Sequence, residues 1–414
     1  MSIICGTDLS TASAGALDVA LAIGTLYGHR DVLLVHVVAP ELGGSSGQAR
    51  VLDAAYTQLE EQARRVHAAP GVPAVRTKLI VGAPDEVLVE LAEREGCELI
   101  VTAARSTSSS LLRLGSTTAK LIARTSVPVL VVRDPDPWIK FASGERPLRL
   151  LLGIDDSAVC DLGIQWTQAL AARGPTEIVL GAIYYPDDAA AHYGLDLHGM
   201  VDSDPEIERL MARDLMRRFG ATDANVIARP RRGLGRIGDH VVELARDEKV
   251  DAIIVGTGQK TGLGRLGSVS SIIVDDAPQS VVCVPPQARV ATRSIPELRA
   301  ALVATDLSPF SNRAVPYAFA LVAGAPDAEV HIVHVVNDDD EVDERDLERQ
   351  LYALAPEEAA PRVKAHVVRG EDAAIALAQC AARLGVDAIC IASHGRSGIT
   401  RALVGSVADR LLRA

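Results

Sequence analysis

Short apolar runs rich in valine, isoleucine and leucine alternate with longer amphipathic stretches along the whole chain. The first two such runs cover residues 3–7 and 32–38, and an amphipathic stretch at 14–27 lies between them. Strands that are apolar on both faces, each followed by a helix, are typical of a parallel sheet with helices on both sides. The pattern therefore predicts a doubly wound, Rossmann-like α/β fold.

The same pattern is present three times. In each copy an aspartate directly follows the first apolar run, and a Gly-Ser pair follows the fourth. The aspartates are Asp8, Asp155 and Asp306, and the pairs are Gly115-Ser116, Gly267-Ser268 and Gly405-Ser406. The aspartates are roughly 150 residues apart, which is the length of a domain and too long for a solenoid repeat. We expect three tandem domains, copies one, two and three, at residues 1–135, 147–286 and 297–414.

Copies one and two each contain five predicted strands, and copy three contains four. These strands are residues 3–7, 32–38, 75–81, 99–102 and 127–132 in copy one, 150–154, 178–184, 226–229, 252–255 and 280–284 in copy two, and 301–305, 330–336, 365–368 and 388–392 in copy three. Copy three ends in a predicted helix at 407–412, so we expect its sheet to lack a fifth strand. Two proline-containing stretches, 134–147 and 285–296, are predicted to be linkers.

Composition narrows the class of protein. The net charge is -12 and only 3% of residues are aromatic, whereas nucleic-acid binding needs a basic face or stacking side chains. No apolar run reaches the ~20 residues of a membrane span, and no leader pattern opens the chain, so we expect a cytoplasmic protein without nucleic-acid or membrane partners. The six cysteines form no C-x-x-C motif, and those in strands are expected to be buried, inert thiols.

The opening aspartates and the closing loops follow the first and fourth predicted strands. If those strands are neighbours, both elements face one crevice at the carboxyl ends of the sheet, where open α/β sheets bind ligands. A loop of small residues that starts a helix presents backbone N–H groups to phosphate. The aspartate can accept a hydrogen bond from an adenine amino group or a ribose hydroxyl. The alternative is that aspartate and serine only cap the following helix.

This combination resembles the universal stress protein family, in which ATP-binding members carry a first-strand aspartate and a G-x2-G-x9-G-[S/T] loop. Copy three keeps the spacing and departs only at Ala392, whereas the loop of copy two is two residues short. Copy one has Ala103 and Ser106 in place of both leading glycines. The resemblance implies ATP, with Mg²⁺ as a candidate companion, in copies three and two. The implied site residues are Asp306, Gly370, Ala392, His394, Gly395, Gly405 and Ser406 in copy three and Asp155, Gly256, Gly258, Gly267 and Ser268 in copy two.

A second glycine-containing stretch, 231–238 in copy two, spells G-x-G-x-x-G among three arginines. A dinucleotide fingerprint belongs after the first strand of a βαβ unit, and this stretch follows a third strand, so that interpretation is rejected. An anion-binding loop and a flexible basic loop both remain open.

Three functions are compatible with these patterns. The favoured one is a stress-response module that binds adenine nucleotide. An ATP-dependent enzyme of the same adenine nucleotide alpha hydrolase-like superfamily is the first alternative, but no P-loop and no recurring nucleophile and base are present. An assembly module without ligand is the second. The fifth strands of copies one and two are expected to pair with each other, and the apolar strand 388–392 to lie at a sheet edge and drive self-association.

Overall fold

The computed structural model describes residues 2–40, 45–65, 71–104, 116–195, 204–258, 269–288, 298–392 and 406–412. Strands and helices alternate along these residues. The strands are β1 (Ser2–Thr7), β2 (Asp31–Val38), β3 (Ala74–Val81), β4 (Cys97–Ala103), β5 (Val129–Val132), β6 (Leu148–Gly153), β7 (Thr176–Tyr184), β8 (Asn225–Arg232), β9 (Ala252–Gly256), β10 (Ser280–Val284), β11 (Ala300–Ala304), β12 (Glu329–Val336), β13 (Val363–Arg369) and β14 (Ala388–Ile391). The helices are α1 (Thr11–Tyr27), α2 (Ser45–Arg64), α3 (Pro84–Arg94), α4 (Ser116–Arg124), α5 (Asp136–Ala142), α6 (Val159–Ala171), α7 (Pro186–Tyr193), α8 (Pro205–Phe219), α9 (Ile237–Asp247), α10 (Val269–Asp276), α11 (Val315–Leu321), α12 (Glu344–Tyr352), α13 (Ala373–Leu384) and α14 (Ser406–Leu411).

The chain divides into two compact units. The first comprises Met1–Ile183 with Leu215–Thr292, and the second comprises Tyr184–Asp214 with Arg293–Ala414. Each unit contains its own sheet, and the predicted α/β fold is confirmed.

A ten-stranded sheet with the order β3-β2-β1-β4-β5-β10-β9-β6-β7-β8 forms the first unit. The ladders from β3 to β5 and from β10 to β7 are parallel. At the centre β5 and β10 pair antiparallel, with Val131 opposite Val281 and Val129 opposite Cys283. These are the fifth strands of copies one and two, so the expected pairing between them is confirmed. It makes both strands interior strands, and all their residues are buried.

Four parallel strands in the order β13-β12-β11-β14 form the sheet of the second unit. The predicted four-stranded sheet of copy three is therefore confirmed. Among the described strands β14 pairs only with β11, with Ala304 opposite Ile391. This places β14 at the edge of the sheet.

A segment of copy two, Tyr184–Asp214, belongs to this second unit. The Arg213 guanidinium donates to the backbone carbonyls of Ala382 and Arg383 at the end of α13. The side-chain amide of Gln379 on α13 donates to the carbonyl of Ala191 at 3.2 Å. An arm of copy two thus packs on the helix that follows β13, an association that no local pattern indicated. The domain boundaries stay predictions.

The predicted linker at 134–147 is wrong for its central part, because α5 forms there. Trp138 and Phe141 of α5 are fully buried, and the helix packs against α1 and β6. An ideal Cβ on Gly174 would lie only 2.7 Å from the Phe141 ring, so a glycine is needed beside it. A seven-residue helix flanked by prolines is too short to show helical periodicity.

The buried cysteines behave as predicted. Cys5 and Cys283 are fully buried in β1 and β10, and burial raises the pKa of the Cys283 thiol to about 12. Thiols of this kind stay protonated at neutral pH and are poor nucleophiles. Cys390 is only partly buried, and burial raises its pKa as well. None of the described helices combines the length and the apolar character needed to cross a bilayer.

Replacing Phe141 by alanine tests whether α5 is part of the core. Because Phe141 is 1% exposed, we expect Phe141→Ala to lower the free energy of unfolding by about 3–5 kcal/mol. Ile139→Ala in the same helix, at a side chain 38% exposed, should change it by about 0.5 kcal/mol. Denaturant unfolding followed by tryptophan fluorescence measures both. Equal effects would show that α5 is a linker after all.

Candidate functional site

The first and fourth strands of every copy are neighbours in the sheet. Parallel ladders join β1 to β4, β6 to β9 and β11 to β14. Because parallel strands end at the same edge, the residues that follow these two strands face one crevice. The aspartate and the start of the glycine loop are therefore brought together in all three copies.

Copy three contains a cavity of about 220 Å³ at this edge. It lies at the carboxyl ends of β11, β12 and β14, between α13 and α14. Two of the predicted site residues, Asp306 and Ala392, line it together with eleven other described residues. These are Ala304, Thr305, Ser311, Val333, His334, Val335, Ala373, Leu377, Ile391, Val407 and Ala408.

Asp306 organises the loop that follows β11. Its Oδ1 accepts hydrogen bonds from the backbone N–H of Ser308 at 2.9 Å and from the hydroxyl of Ser311. Leu307, directly after the aspartate, has a φ of 61°, a left-handed conformation that is costly for a residue with a branched side chain. In copy one Leu9 has the same conformation, with a φ of 63°. A strained residue held at the same place in two copies is typical of a functional loop.

A threonine and a histidine stand side by side at the ends of the first two strands of copy three. Nδ1 of His334 lies 2.8 Å from the carbonyl oxygen of Thr305. In copy one Nδ1 of His36 lies 2.8 Å from the carbonyl oxygen of Thr7. The corresponding residues of copy two are Ile154 and Ala182. The apolar pattern of the two strands gave neither histidine a role, although a polar residue at the same place in two equivalent strands was a usable signal.

Gly370 follows β13 and allows α13 to approach the sheet. Its N–H donates to the carbonyl of Val336 at 3.0 Å. An ideal Cβ on this residue would lie 3.0 Å from the Cβ of Ala376. Gly82 of copy one is used in the same way, with its N–H donating to Val38 at 3.0 Å. Gly370 is not among the residues that line the cavity, so its described role is to position α13.

Asp155, the opening aspartate of copy two, is surrounded by hydrogen-bond donors. Burial raises the pKa of its carboxyl, but the Cys160 thiol and the hydroxyl and backbone N–H of Ser157 donate to it, and the pKa is held below its usual value. Asp155 is therefore ionised at neutral pH. Arg218 of α8 donates to the backbone carbonyls of Asp155 and Ser157 and so closes over the end of β6.

The predicted glycines of copy two differ in their surroundings. An ideal Cβ on Gly256 would lie 2.8 Å from Cγ1 of Val159, so the start of α6 packs directly on the end of β9. A Cβ on Gly258 would meet nothing within 4 Å. The close packing at Gly256 explains why copy two needs a glycine where copy three carries Ala392.

The arginine-rich stretch of copy two pairs with its own helix. Arg231 contacts Asp247 at 2.7 Å, and Arg236 contacts Asp239 at 2.9 Å. Both carboxylates belong to α9. These two charges are already compensated, whereas Nε of Arg232 is buried and has no hydrogen-bond partner among the described residues, so a structural role and anion binding both stay open for the stretch.

Several predicted site residues lie outside the described ranges. Ser406 is described as the first residue of α14. Five others, which lie between β9 and α10 or between β14 and α14, are not described. They are Gly267, Ser268, His394, Gly395 and Gly405. Their part in a site stays a prediction.

The sequence of this chain is similar to those of proteins from one known family. Residues 1–133, 148–285 and 297–414 each match the universal stress protein family. A universal stress protein of Mycobacterium tuberculosis, found in two strains, is 32% identical over 143 residues, which are 32% of this chain and 94% of that protein.

A solved structure shows the same fold. A universal stress protein from Archaeoglobus fulgidus superposes with a TM-score of 0.51 at 18% identity, over 69% of this chain and 98% of that one. Another universal stress protein, solved in complex with cAMP, is 27% identical with a TM-score of 0.28, over 32% of this chain and 96% of its own. The three matches to the family, at residues 1–133, 148–285 and 297–414, together span nearly all of the chain. This chain therefore belongs to the universal stress protein family.

Proposed function

We propose that this chain is a stress-response protein that binds an adenine nucleotide, ATP with Mg²⁺ as a candidate companion, in copies three and two. The cavity at the carboxyl ends of β11 and β14, lined by Asp306 and Ala392, is the observation that supports the proposal most directly. It lies where open parallel sheets bind ligands.

The size and lining of the cavity suit the nucleoside part of the ligand. Its volume of about 220 Å³ is below the roughly 300–1,000 Å³ of pockets for whole drug-sized molecules. Apolar side chains such as Val333, Leu377 and Val407 can pack against a base, and Asp306 supplies an acceptor. The phosphates are assigned to the glycine loop 393–405 from its sequence.

In copy two the same proposal has narrower support. Asp155 and Gly256 follow neighbouring strands, β6 and β9, and Arg218 places a cation beside the aspartate loop. This guanidinium is already paired with Asp161 at 3.0 Å, so its role in the proposal is to order the aspartate loop.

Removing the carboxylate of Asp306 tests the site in copy three. We expect Asp306→Ala to weaken ATP binding about tenfold to a hundredfold, because one hydrogen bond to a charged group is lost. Asp8→Ala in copy one is the matched control, since Asp8 accepts from Ser10 N–H at 3.1 Å in an equivalent loop whose glycines are missing. Titration calorimetry of the full chain, with and without Mg²⁺, measures both.

The stoichiometry of the same titrations addresses copy two. If both copies bind, the unsubstituted chain takes up two nucleotides and Asp155→Ala takes up one. A chain that binds no ATP, or that loses affinity equally in the Asp8 and Asp306 variants, would favour the assembly module instead.

We also propose that binding, and not turnover, is the activity. No lysine or arginine lines the described part of the cavity, and phosphoryl transfer depends on positioning and on stabilisation of the transferred charge. We expect ATP hydrolysis to be far slower than the roughly 1–100 per second of kinases in a coupled phosphate-release assay. A rate inside that range would restore the enzyme interpretation.

Self-association through copy three is the remaining part of the proposal. The edge strand β14 exposes Ile389, and natural edges normally carry charge, proline or a bulge. Beside it, α11 exposes Tyr317 and Leu321, whereas α1, the corresponding helix of copy one, is covered by α5. A second chain that pairs with β14 would cover this apolar surface.

A charge on the edge strand tests this association. Ile389 is 36% exposed, and Ile375 on α13 is 53% exposed. We expect Ile389→Lys to shift a concentration-dependent oligomer toward monomer in light scattering, while Ile375→Lys leaves it unchanged. A monomer at every concentration before substitution would refute the proposed interface.

A further inference from the structure

The ring of His334 has a defined tautomer. Its Nδ1 lies 2.8 Å from the carbonyl oxygen of Thr305, and a carbonyl oxygen can only accept, so Nδ1 carries the proton. The neutral ring then has an unprotonated Nε2, which is a hydrogen-bond acceptor. Within the described ranges no group donates to Nε2, and the ring lines the cavity of copy three.

The hydroxyl groups of the cavity wall already donate their protons to other protein atoms and have none left to donate to a ligand. The hydroxyl of Thr305 donates to Oδ1 of Asn312 at 2.6 Å. The hydroxyl of Ser311 donates to Oδ1 of Asp306. Both hydroxyl protons are thus given to protein oxygens, and Asp306 itself is an acceptor. The described polar side chains of the wall therefore present acceptors, and a ligand group that meets them must be a donor.

We propose that Nε2 of His334 accepts a hydrogen bond from the exocyclic amino group of adenine, and that this contact makes copy three selective for 6-amino purines. The inference rests on the proposed nucleotide function and adds the residue that chooses the base. A 6-oxo purine would place a carbonyl oxygen against Nε2 and the Asp306 carboxylate, leaving polar groups unpaired. Sites built to pair a donor reject analogues that lack it.

The other copies supply an internal comparison. Copy one keeps the same histidine contact through His36 and Thr7 but lacks both leading loop glycines, whereas copy two has Ala182 at this position. Any nucleotide site in copy two lacks the acceptor and should discriminate less between bases.

Two substitutions separate the two ring nitrogens. His334→Asn keeps an amide N–H near the position of Nδ1, so it can still donate to Thr305 while the acceptor is lost. His334→Gln places an amide oxygen near the position of Nε2 and so keeps an acceptor. His36→Asn in copy one is the matched control for the Thr contact, and thermal unfolding without nucleotide shows whether each variant is folded.

The measurement is the ratio of the Kd for inosine triphosphate to that for ATP, by calorimetry on the full chain. We expect a ratio of about ten to a hundred for the unsubstituted chain, a ratio near one for His334→Asn, and a largely retained ratio for His334→Gln and His36→Asn. Purine riboside triphosphate, which lacks the 6-amino group, should bind as weakly as inosine triphosphate.

Three results would overturn the inference while leaving the proposed function intact. The first is an unsubstituted ratio near one, and the second is an unchanged ratio in folded His334→Asn. The third is a Kd for 2′-deoxy-ATP that exceeds the Kd for ATP in the unsubstituted chain but not in His334→Asn, which would assign Nε2 to the ribose. A chain that binds no adenine nucleotide at all would overturn the proposed function as well.

Discussion

The parallel pairing of the first strand with the fourth is the constraint on which the candidate site depends. In copy three the ladder between β11 and β14 sets Ala304 opposite Ile391. The loops that follow these strands must then diverge from adjacent points to reach helices on opposite faces of the sheet. The space between the diverging loops is the crevice. Asp306 and Ala392 meet there although they are 86 positions apart in the sequence, and the same ladder recurs in copies one and two.

The three copies have used this shared frame differently. Copies one and three keep the threonine, the histidine and the left-handed leucine after the aspartate. Copy two has Ile154 and Ala182 in place of the threonine and the histidine, and Asp156 in place of the leucine. It also has a tightly packed Gly256 and the guanidinium of Arg218 at this edge. In the glycines of the closing loop, copy two is more similar to copy three. In the polar residues at the strand ends, copy one is more similar to copy three. The glycine loop and the polar residues at the strand ends have thus diverged separately among the copies.

The last strand of the sheet is covered in copies one and two but lies at an edge in copy three. A strand edge offers unpaired N–H and C=O groups, which are costly to leave uncovered on an apolar strand. Copies one and two satisfy each other through β5 and β10. In copy three the described partner of β14 is β11 alone, and α11 beside it carries exposed Tyr317 and Leu321. The proposed self-association follows from that difference.

The sequence by itself determined the α/β class, the threefold repeat, nearly every strand, and Asp306 with Ala392 as neighbours, because apolar runs and Gly/Asp turns are local signals. It missed α5, whose seven residues are too few for periodicity and whose Trp138 and Phe141 are explained only by burial against α1 and β6. It also missed the acceptor role of His334 and the association of Tyr184–Asp214 with the unit of copy three. Both depend on contacts between residues far apart in the chain, which only the tertiary structure decides.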